Sequence, residues 1–401
     1  MDGQEFRRGR RYRSGILCAM GEAPTLPCLR RLALECATAF AVLVAALTNI
    51  WPRGRDLTTM VLGDEPRGPR GNALFRGVFV TVLTPFTRDG SVDERGLQAE
   101  LLYLKRSGVH GLLLMGSMGE GPYLTAEQRE TVLRVTQRVI GNDLPLVVGV
   151  TAPSTRQAVA QAEQAARYGA DGLTVALPVY YSVELAALKQ HLLTVARRSG
   201  LPVLFYYYPD AYRGVLKPKQ IAELLREPEI IGVKESILDM AHIERQMLLL
   251  RDPSKVFWAG TTLAMPEVME LGGDGAASVV GLLMPRTTVE LYEAVRRGDR
   301  VAVERLRAKL FRALPLLQRN APSPLVAHAG FLAALRGQVA LTLGAESTHA
   351  RLKAALRYRG VPIEPLVASP LPALTPAEEQ LVARTMRELI ALEPTEESDH
   401  E

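Results

Sequence analysis

The alternation of short apolar runs with longer amphipathic segments is the feature of this 401-residue chain that most restricts its fold. Eight runs are almost continuously apolar, which is typical of parallel strands that helices cover. They are residues 77–83, 111–115, 146–150, 172–176, 202–206, 229–234, 255–259 and 276–280. Segments of helical period separate them, and one begins with a capping-box pattern from Thr125 to Gln128. Eight strand–helix units within about 220 residues predict an α/β fold of the (β/α)8 TIM-barrel type.

The predicted barrel occupies only the middle of the chain. We expect residues 1–74 to be a leader, residues 75–299 to form the barrel, and residues 300–401 to form a C-terminal helical region. That region lacks polar clusters of a catalytic kind, so we interpret it as a packing or oligomer surface. Its predicted helices lie near 300–317, 322–336, 346–358 and 375–392. A doubly wound open sheet is the competing architecture, but it usually has a glycine-rich dinucleotide turn after its first strand, where this chain reads TPFTRDGS.

The leader is rich in arginine and contains an apolar run from Leu32 to Trp51. The uncharged part of this run, from Cys36 to Trp51, is 16 residues long, which is short for a bilayer span of about 20 residues. A signal or anchor segment and an organelle-targeting peptide are the functional alternatives. We favour a disordered or over-extended leader outside the functional domain, and a cytoplasmic protein.

The distribution of charge and cysteine excludes several function classes. Residues 1–75 contain 11 Arg, no Lys and 7 acidic residues, and so supply +4 of the formal net charge of +5. The remainder is nearly neutral, so we expect no nucleic-acid partner. All three cysteines lie in the leader, and the six histidines show no H-x-x-x-H or H-x-H pairing. We therefore expect neither a catalytic thiol nor a metal site in the barrel.

The carboxyl ends of barrel strands are where catalytic residues collect. This rule selects five short segments, at 116–120, 178–181, 206–209, 232–236 and 278–281. Lys234 ends an apolar strand, where an ammonium group is costly unless it is paired or deprotonated. A neutral lysine amine can attack a ketone and form an imine. The alternative is a structural lysine in a salt bridge, for example with Glu235.

Two other segments supply groups that suit an imine-forming lysine. Tyr206 lies on the neighbouring strand, where its phenol could exchange protons with a substrate oxygen or simply fill the top of the barrel. Gly116 and Gly119 flank Ser117, which lets backbone N–H groups approach a carboxylate. Turns of this kind are common, so the combination of the three segments is the informative signal.

In this order, the motifs resemble the dihydrodipicolinate synthase/N-acetylneuraminate lyase family of class I aldolases, over about residues 75–300. GSMGE at 116–120 resembles the family's G-[ST]-[TN]-G-E motif. Tyr206 with Pro209 resembles its strand-five motif, and IGVKE at 231–235 its I-G-x-K-[DE] motif. The resemblance implies a homo-oligomeric lyase, a dimer or tetramer, that needs no cofactor. Its substrates would be a 2-oxo acid such as pyruvate and an aldehyde or sugar acid.

The resemblance also implies catalytic roles. Lys234 would form the Schiff base, and Tyr206 would act as the general acid/base. Ser117 would link Tyr206 to a second tyrosine from a neighbouring subunit. Tyr180 is the best match for that tyrosine, and Tyr181 remains the alternative. The backbone of Gly116, Ser117 and Met118 would bind the oxo-acid carboxylate, and Ala277 would contribute a backbone carbonyl.

Some positions depart from the family pattern. Members that make dihydrodipicolinate place an arginine where this chain has Ala211, and Arg213 could replace it only through a shifted loop. Met118 removes a side-chain hydrogen bond to the substrate, and Tyr207 stands at a common asparagine, which should alter the pocket wall. The pattern Gly-Ser-x-Gly-Glu-x-x-x-Leu-Thr at 116–125 resembles the hydroxy-oxoglutarate and sugar-acid aldolases of the family slightly more than its other members. The alternatives are a genuine 4-hydroxy-tetrahydrodipicolinate synthase, a catalytically idle barrel used for binding or regulation, and a membrane-anchored protein.

Overall fold

The computed structural model of the protein describes residues 72–178, 182–209, 215–317, 330–331, 333–335 and 348–393. Eight parallel strands in this part of the chain pair in chain order, and the first pairs with the eighth to close a barrel. The strands are β1 (Gly77–Thr81), β2 (Gly111–Leu114), β3 (Leu146–Val150), β4 (Gly172–Ala176), β5 (Val203–Tyr207), β6 (Ile230–Glu235), β7 (Val256–Ala259) and β8 (Gly275–Ser278). The predicted TIM barrel is confirmed.

A helix follows each strand and covers the outside of the barrel. The helices are α1 (Glu94–Arg106), α2 (Ala126–Ile140), α3 (Thr155–Arg167), α4 (Leu185–Ser199), α5 (Pro218–Leu225), α6 (Met240–Leu250), α7 (Met265–Glu270) and α8 (Pro285–Arg296). The predicted capping box begins α2, because the Thr125 hydroxyl accepts from the Gln128 N–H at 3.2 Å and the Gln128 side chain accepts from the Thr125 N–H at 2.9 Å. Local sequence therefore determines where this helix begins.

Strand β8 ends two residues before the predicted end. The Ser278 hydroxyl accepts a hydrogen bond from the Gly281 N–H at 2.7 Å, and a short 3-10 turn follows at Val280–Leu282. The sequence does not predict this turn, because Val279 and Val280 continue the apolar stretch of the strand. As a result, these two valines lie beyond the strand, at the carboxyl end of the barrel.

The inside of the barrel is filled towards the amino ends of the strands by one buried apolar cluster. Its largest member is Trp258, whose indole N–H donates to the Phe75 carbonyl at 2.7 Å and whose ring centre is 4.4 Å from that of Phe79. The members are Phe75, Phe79, Leu113, Val147, Leu204, Ile231, Val256, Trp258 and Ala277. Because this cluster fills the lower interior, a cavity can form only towards the carboxyl ends of the strands.

The pairing of β5 with β6 contains one extra residue. Val203 pairs with Ile230 and Leu204 pairs with Gly232, so Ile231 has no partner in the register. Beyond this irregularity Tyr206 lies directly opposite Lys234. Gly232 allows β7 to approach, since a Cβ atom there would lie 2.1 Å from the Val256 carbonyl oxygen.

The C-terminal helical region contains α9 (Arg300–Phe311), α10 (Leu314–Leu317), α11 (Thr348–Tyr358) and α12 (Pro376–Leu392). Residues 330–331 and 333–335 are also helical and fall within the predicted helix 322–336, the rest of which lies outside the described residues. Residues 1–71 of the predicted leader, including all three cysteines and the apolar run, lie outside them as well. Within the described ranges, every helix is too short or too polar to span a membrane.

A fully buried ion pair joins the C-terminal region to the barrel. Lys353 on α11 donates to the carboxylate of Glu120, in the turn after β2, and to the Leu366 carbonyl. The second Glu120 oxygen accepts from the Ala368 N–H at 2.7 Å. The position of the GSMGE turn therefore depends on a helix more than 200 residues further along the chain.

Lys353→Met should lower the free energy of unfolding by about 3–5 kcal/mol, because it leaves the Glu120 carboxylate buried without its counter-charge. Arg357→Met is the matched control on the same helix, since Arg357 pairs with Glu364 at 2.8 Å while both side chains are more than half exposed. The control substitution should lower the free energy of unfolding by less than about 1 kcal/mol. Denaturant unfolding of both variants measures the difference, and equal losses would contradict this account.

Candidate active site

Lys234 and Tyr206 are in direct contact at the carboxyl ends of β5 and β6. The Lys234 Nζ lies 3.9 Å from the centre of the Tyr206 ring, and the two residues are only 6% and 7% exposed. Among the described residues, no carboxylate forms an ion pair with this amine. The sequence motif thus places a lysine amine against a phenol inside the barrel.

Glu235 points away from the cavity, so the alternative of a salt bridge with Lys234 is wrong. Its carboxyl oxygens accept from the Gln246 side-chain amide at 2.6 Å and from the Ile237 N–H at 3.1 Å. Successive side chains of a strand face opposite sides, which separates neighbours in sequence. Burial raises the pKa of Glu235 to about 8.

The turn after β2 holds Ser117 next to the tyrosine. The Ser117 Oγ is 3.4 Å from the Tyr206 hydroxyl, a distance at which either group can donate. The Gly116 carbonyl accepts from the Gly121 N–H at 3.2 Å, which closes the turn. A Cβ atom at Gly119 would lie 2.8 Å from the Val82 carbonyl oxygen, so glycine is needed there for close packing.

Two residues of this turn lie at the cavity wall. Ser117 and Met118 both line the cavity that contains Lys234. Among the described residues, neither the Ser117 N–H nor the Met118 N–H donates a hydrogen bond. Adjacent backbone N–H groups of this kind suit an anion such as a carboxylate.

The cavity extends from Lys234 to the C-terminal helical region. Its lining comes from several strand ends and from two C-terminal helices, and consists of Thr81, Ser117, Met118, Tyr206, Tyr208, Lys234, Ser236, Leu238, Gly260, Thr261, Val279, Val280, Leu317 and Thr348. Leu317 and Thr348 lie far beyond the barrel strands in sequence. The C-terminal region thus lines the cavity in addition to the packing role expected of it. These two residues were missed because no local pattern connects them to the barrel.

One predicted pocket residue, Tyr207, faces the outside of the barrel. Tyr207 faces the outer helices, where its hydroxyl accepts from the Leu216 N–H at 2.9 Å and its ring stacks on His242. Its predicted effect on the pocket wall is wrong, because the alternation of the strand turns Tyr208 rather than Tyr207 into the cavity. The Ala277 side chain packs in the interior cluster, and the role expected of its backbone carbonyl stays a prediction.

Tyr180, Tyr181 and Arg213 lie outside the described residues. The structure therefore brings together Lys234, Tyr206, Ser117 and Met118 out of the predicted set.

The fold and the site together define a TIM-barrel enzyme with a buried lysine on its sixth strand. Residues 74–332 match the Dihydrodipicolinate synthetase family, which is well over half of the chain. The protein belongs to this family of lyases and aldolases.

Several known proteins are similar to this chain in sequence or in fold. A 4-hydroxy-tetrahydrodipicolinate synthase of Methanospirillum hungatei is 33% identical over 293 residues, which cover 71% of this chain and 100% of the relative. Escherichia coli YjhH, named a probable 2-dehydro-3-deoxy-D-pentonate aldolase, is 31% identical over 59% of this chain and 79% of its own length. The structure of Escherichia coli YagE, a family member in complex with pyruvate, has a TM-score of 0.68 at 27% identity and covers 79% of this chain and 99% of YagE.

Glu235→Gln should reduce the dependence of stability on pH. A carboxyl whose folded pKa is raised from 4.5 to about 8 stabilises the fold fully at low pH and loses that contribution as pH rises through 8. The variant should therefore lose less stability than the parent between pH 5 and pH 8, measured as the midpoint of denaturant unfolding.

Glu229→Gln is the control for this measurement. Its hydrogen bond with Arg197 holds the pKa of the Glu229 carboxyl below its ordinary value, so it does not titrate in this window. If the stability of Glu235→Gln fell between pH 5 and pH 8 as steeply as that of the parent, the Glu235 carboxyl would be ionised throughout this range.

Proposed function

We propose that the protein is a class I lyase that binds pyruvate or a related 2-oxo acid as a Schiff base on Lys234. It makes or breaks the adjacent carbon–carbon bond, with an aldehyde or a sugar acid as the other reactant. The observation that carries the proposal is the contact between the Lys234 amine and the Tyr206 ring, 3.9 Å apart in a cavity at the barrel mouth. A structural lysine would be expected to have a carboxylate partner, and no described residue supplies one.

The first step is attack of the neutral Lys234 amine on the keto carbon, followed by loss of the keto oxygen as water. The resulting protonated imine withdraws electrons from the neighbouring carbon. Loss of a proton from that carbon gives an enamine, which attacks the carbonyl carbon of an aldehyde and forms the new bond. Cleavage is the reverse sequence. Because the imine itself is the electron sink, this chemistry needs no cofactor.

Tyr206 is the proposed general acid/base. Its hydroxyl donates a proton to the alkoxide that forms when the aldehyde is attacked, and it removes that proton in the cleavage direction. The Ser117 hydroxyl, 3.4 Å away, is placed to exchange this proton with Tyr206. The backbone N–H groups of Ser117 and Met118 would bind the oxo-acid carboxylate, together with Gly116.

Other parts of the proposal follow from the resemblance rather than from described contacts. The relay would continue from Ser117 to Tyr180 of a neighbouring subunit, with Tyr181 as the alternative, in a homo-oligomer acting in the cytoplasm. Ala277 would contribute its backbone carbonyl, and Arg213 would matter only in a genuine 4-hydroxy-tetrahydrodipicolinate synthase. The proposed domains are a leader at 1–74, a catalytic barrel at 75–299 and the helical region at 300–401. The 27% identical YagE, which binds pyruvate, supports the choice of 2-oxo acid.

Borohydride treatment in the presence of pyruvate should add one reduced pyruvate adduct to the peptide that contains Lys234. Lys234→Ala should give no adduct and no turnover, because the nucleophile is gone. Lys219 is an exposed lysine on α5, and Lys219→Ala is the control. This variant should retain both the adduct on Lys234 and turnover. Mass spectrometry locates the adduct, and an adduct on a different lysine would reject the mechanism.

Tyr206→Phe should slow turnover by about 10²–10⁴-fold, because the proton transfers lose their general acid/base. Borohydride trapping of pyruvate on Lys234 should persist in this variant. Tyr207→Phe makes the same chemical change one residue along the strand, on the outer face, and should alter the turnover rate little. Equal rates for the two variants would remove Tyr206 from the mechanism.

A further inference from the structure

His349, at the start of α11, contacts the backbone of the GSMGE turn. Its ring Nε2 is 3.0 Å from the Ser117 carbonyl oxygen. A carbonyl can only accept, so Nε2 carries the hydrogen and donates it. Burial lowers the pKa of His349, which favours the neutral ring, and among the described residues its Nδ1 is buried without a partner. The histidine is therefore a neutral single donor aimed at one peptide group.

The peptide that His349 contacts joins Ser117 to Met118. A trans peptide is planar, and its carbonyl and N–H bonds point in opposite directions. The Ser117 carbonyl accepts from His349 and also from the Glu120 N–H at 3.1 Å. Two donors on the carbonyl side fix the plane of this peptide, so the Met118 N–H points the opposite way.

The surroundings leave that N–H available for a ligand. Met118 lines the same cavity as Lys234. Among the described residues, the Met118 N–H donates no hydrogen bond. Donation to the carbonyl also polarises the peptide, which strengthens the N–H as a donor. A negatively charged oxygen is the acceptor that benefits most from such a donor.

We propose that His349 is a positioning residue that orients the Ser117–Met118 peptide to bind the carboxylate of the 2-oxo acid. The inference rests on the proposed function and extends it to the C-terminal helical region. His349 itself does not touch the substrate. It acts through the peptide, which places the carboxylate so that the neighbouring keto carbon meets the Lys234 amine.

The test compares two ketones that differ only in the group this peptide would bind. Pyruvate carries the carboxylate, and pyruvamide carries a neutral amide in its place. The readout is the ketone concentration that gives half-maximal borohydride trapping on Lys234, in the full-length protein. The variants are His349→Phe, which keeps a ring without a donor, and His349→Gln, whose amide can replace the Nε2–H.

His349→Phe should raise the half-maximal pyruvate concentration about tenfold, the loss expected when a hydrogen bond to a charged group is misaligned. The value for pyruvamide should change less than about threefold, since a neutral acceptor gains less from the donor. His349→Gln should restore most of the affinity for pyruvate. His191→Phe is the control for loss of a buried histidine away from the cavity, and should leave both ketones unchanged.

Three other outcomes of the trapping experiment would each contradict a different claim. Equal losses for pyruvate and pyruvamide in His349→Phe would assign His349 a structural role only. Unchanged pyruvate trapping would show that the peptide keeps its orientation without the histidine. Absence of an adduct in the parent protein would reject the proposed function itself. If His349→Phe does not fold, as judged by circular dichroism, His349→Asn takes its place, because its shorter amide does not reach the carbonyl.

Discussion

The register between β5 and β6 is the constraint on which the candidate site depends. One extra residue at Ile231 places Tyr206 opposite Lys234, and the alternation of each strand turns both side chains into the barrel. A shift of β6 by one residue against β5 would place Val233 or Glu235 opposite Tyr206 and turn Lys234 out of the cavity. The contact between the lysine amine and the phenol ring is thus a consequence of backbone pairing.

The turn after β2 depends on the C-terminal helical region as much as on the barrel. Lys353 neutralises Glu120 at one end of the turn, and His349 donates to Ser117 at the other. Both come from α11, one helical turn apart, so a single helix holds the turn at two points. This arrangement explains why the helical region packs at the carboxyl end of the barrel, where the cavity lies.

The candidate site also shows how the strand separates groups that are neighbours in sequence. Lys234 faces the cavity without a carboxylate partner among the described residues, while Glu235 binds Gln246 and Ile237 on the outer side. The raised pKa of Glu235 reflects its burial there rather than a role in the cavity. Tyr206 and Tyr207 are divided in the same way, since Tyr206 faces the cavity and Tyr207 faces the outer helices.

The sequence by itself determined the barrel, because eight continuously apolar runs with helices between them leave few other ways to bury their side chains. It also determined Lys234, Tyr206 and Ser117, since strand ends collect at one end of such a barrel and motifs mark those ends. Only the tertiary structure decided the parts of the site that come from His349, Thr348 and Leu317. Their contacts with the barrel turn and cavity join residues up to 232 positions apart, and no local periodicity records a contact over that distance.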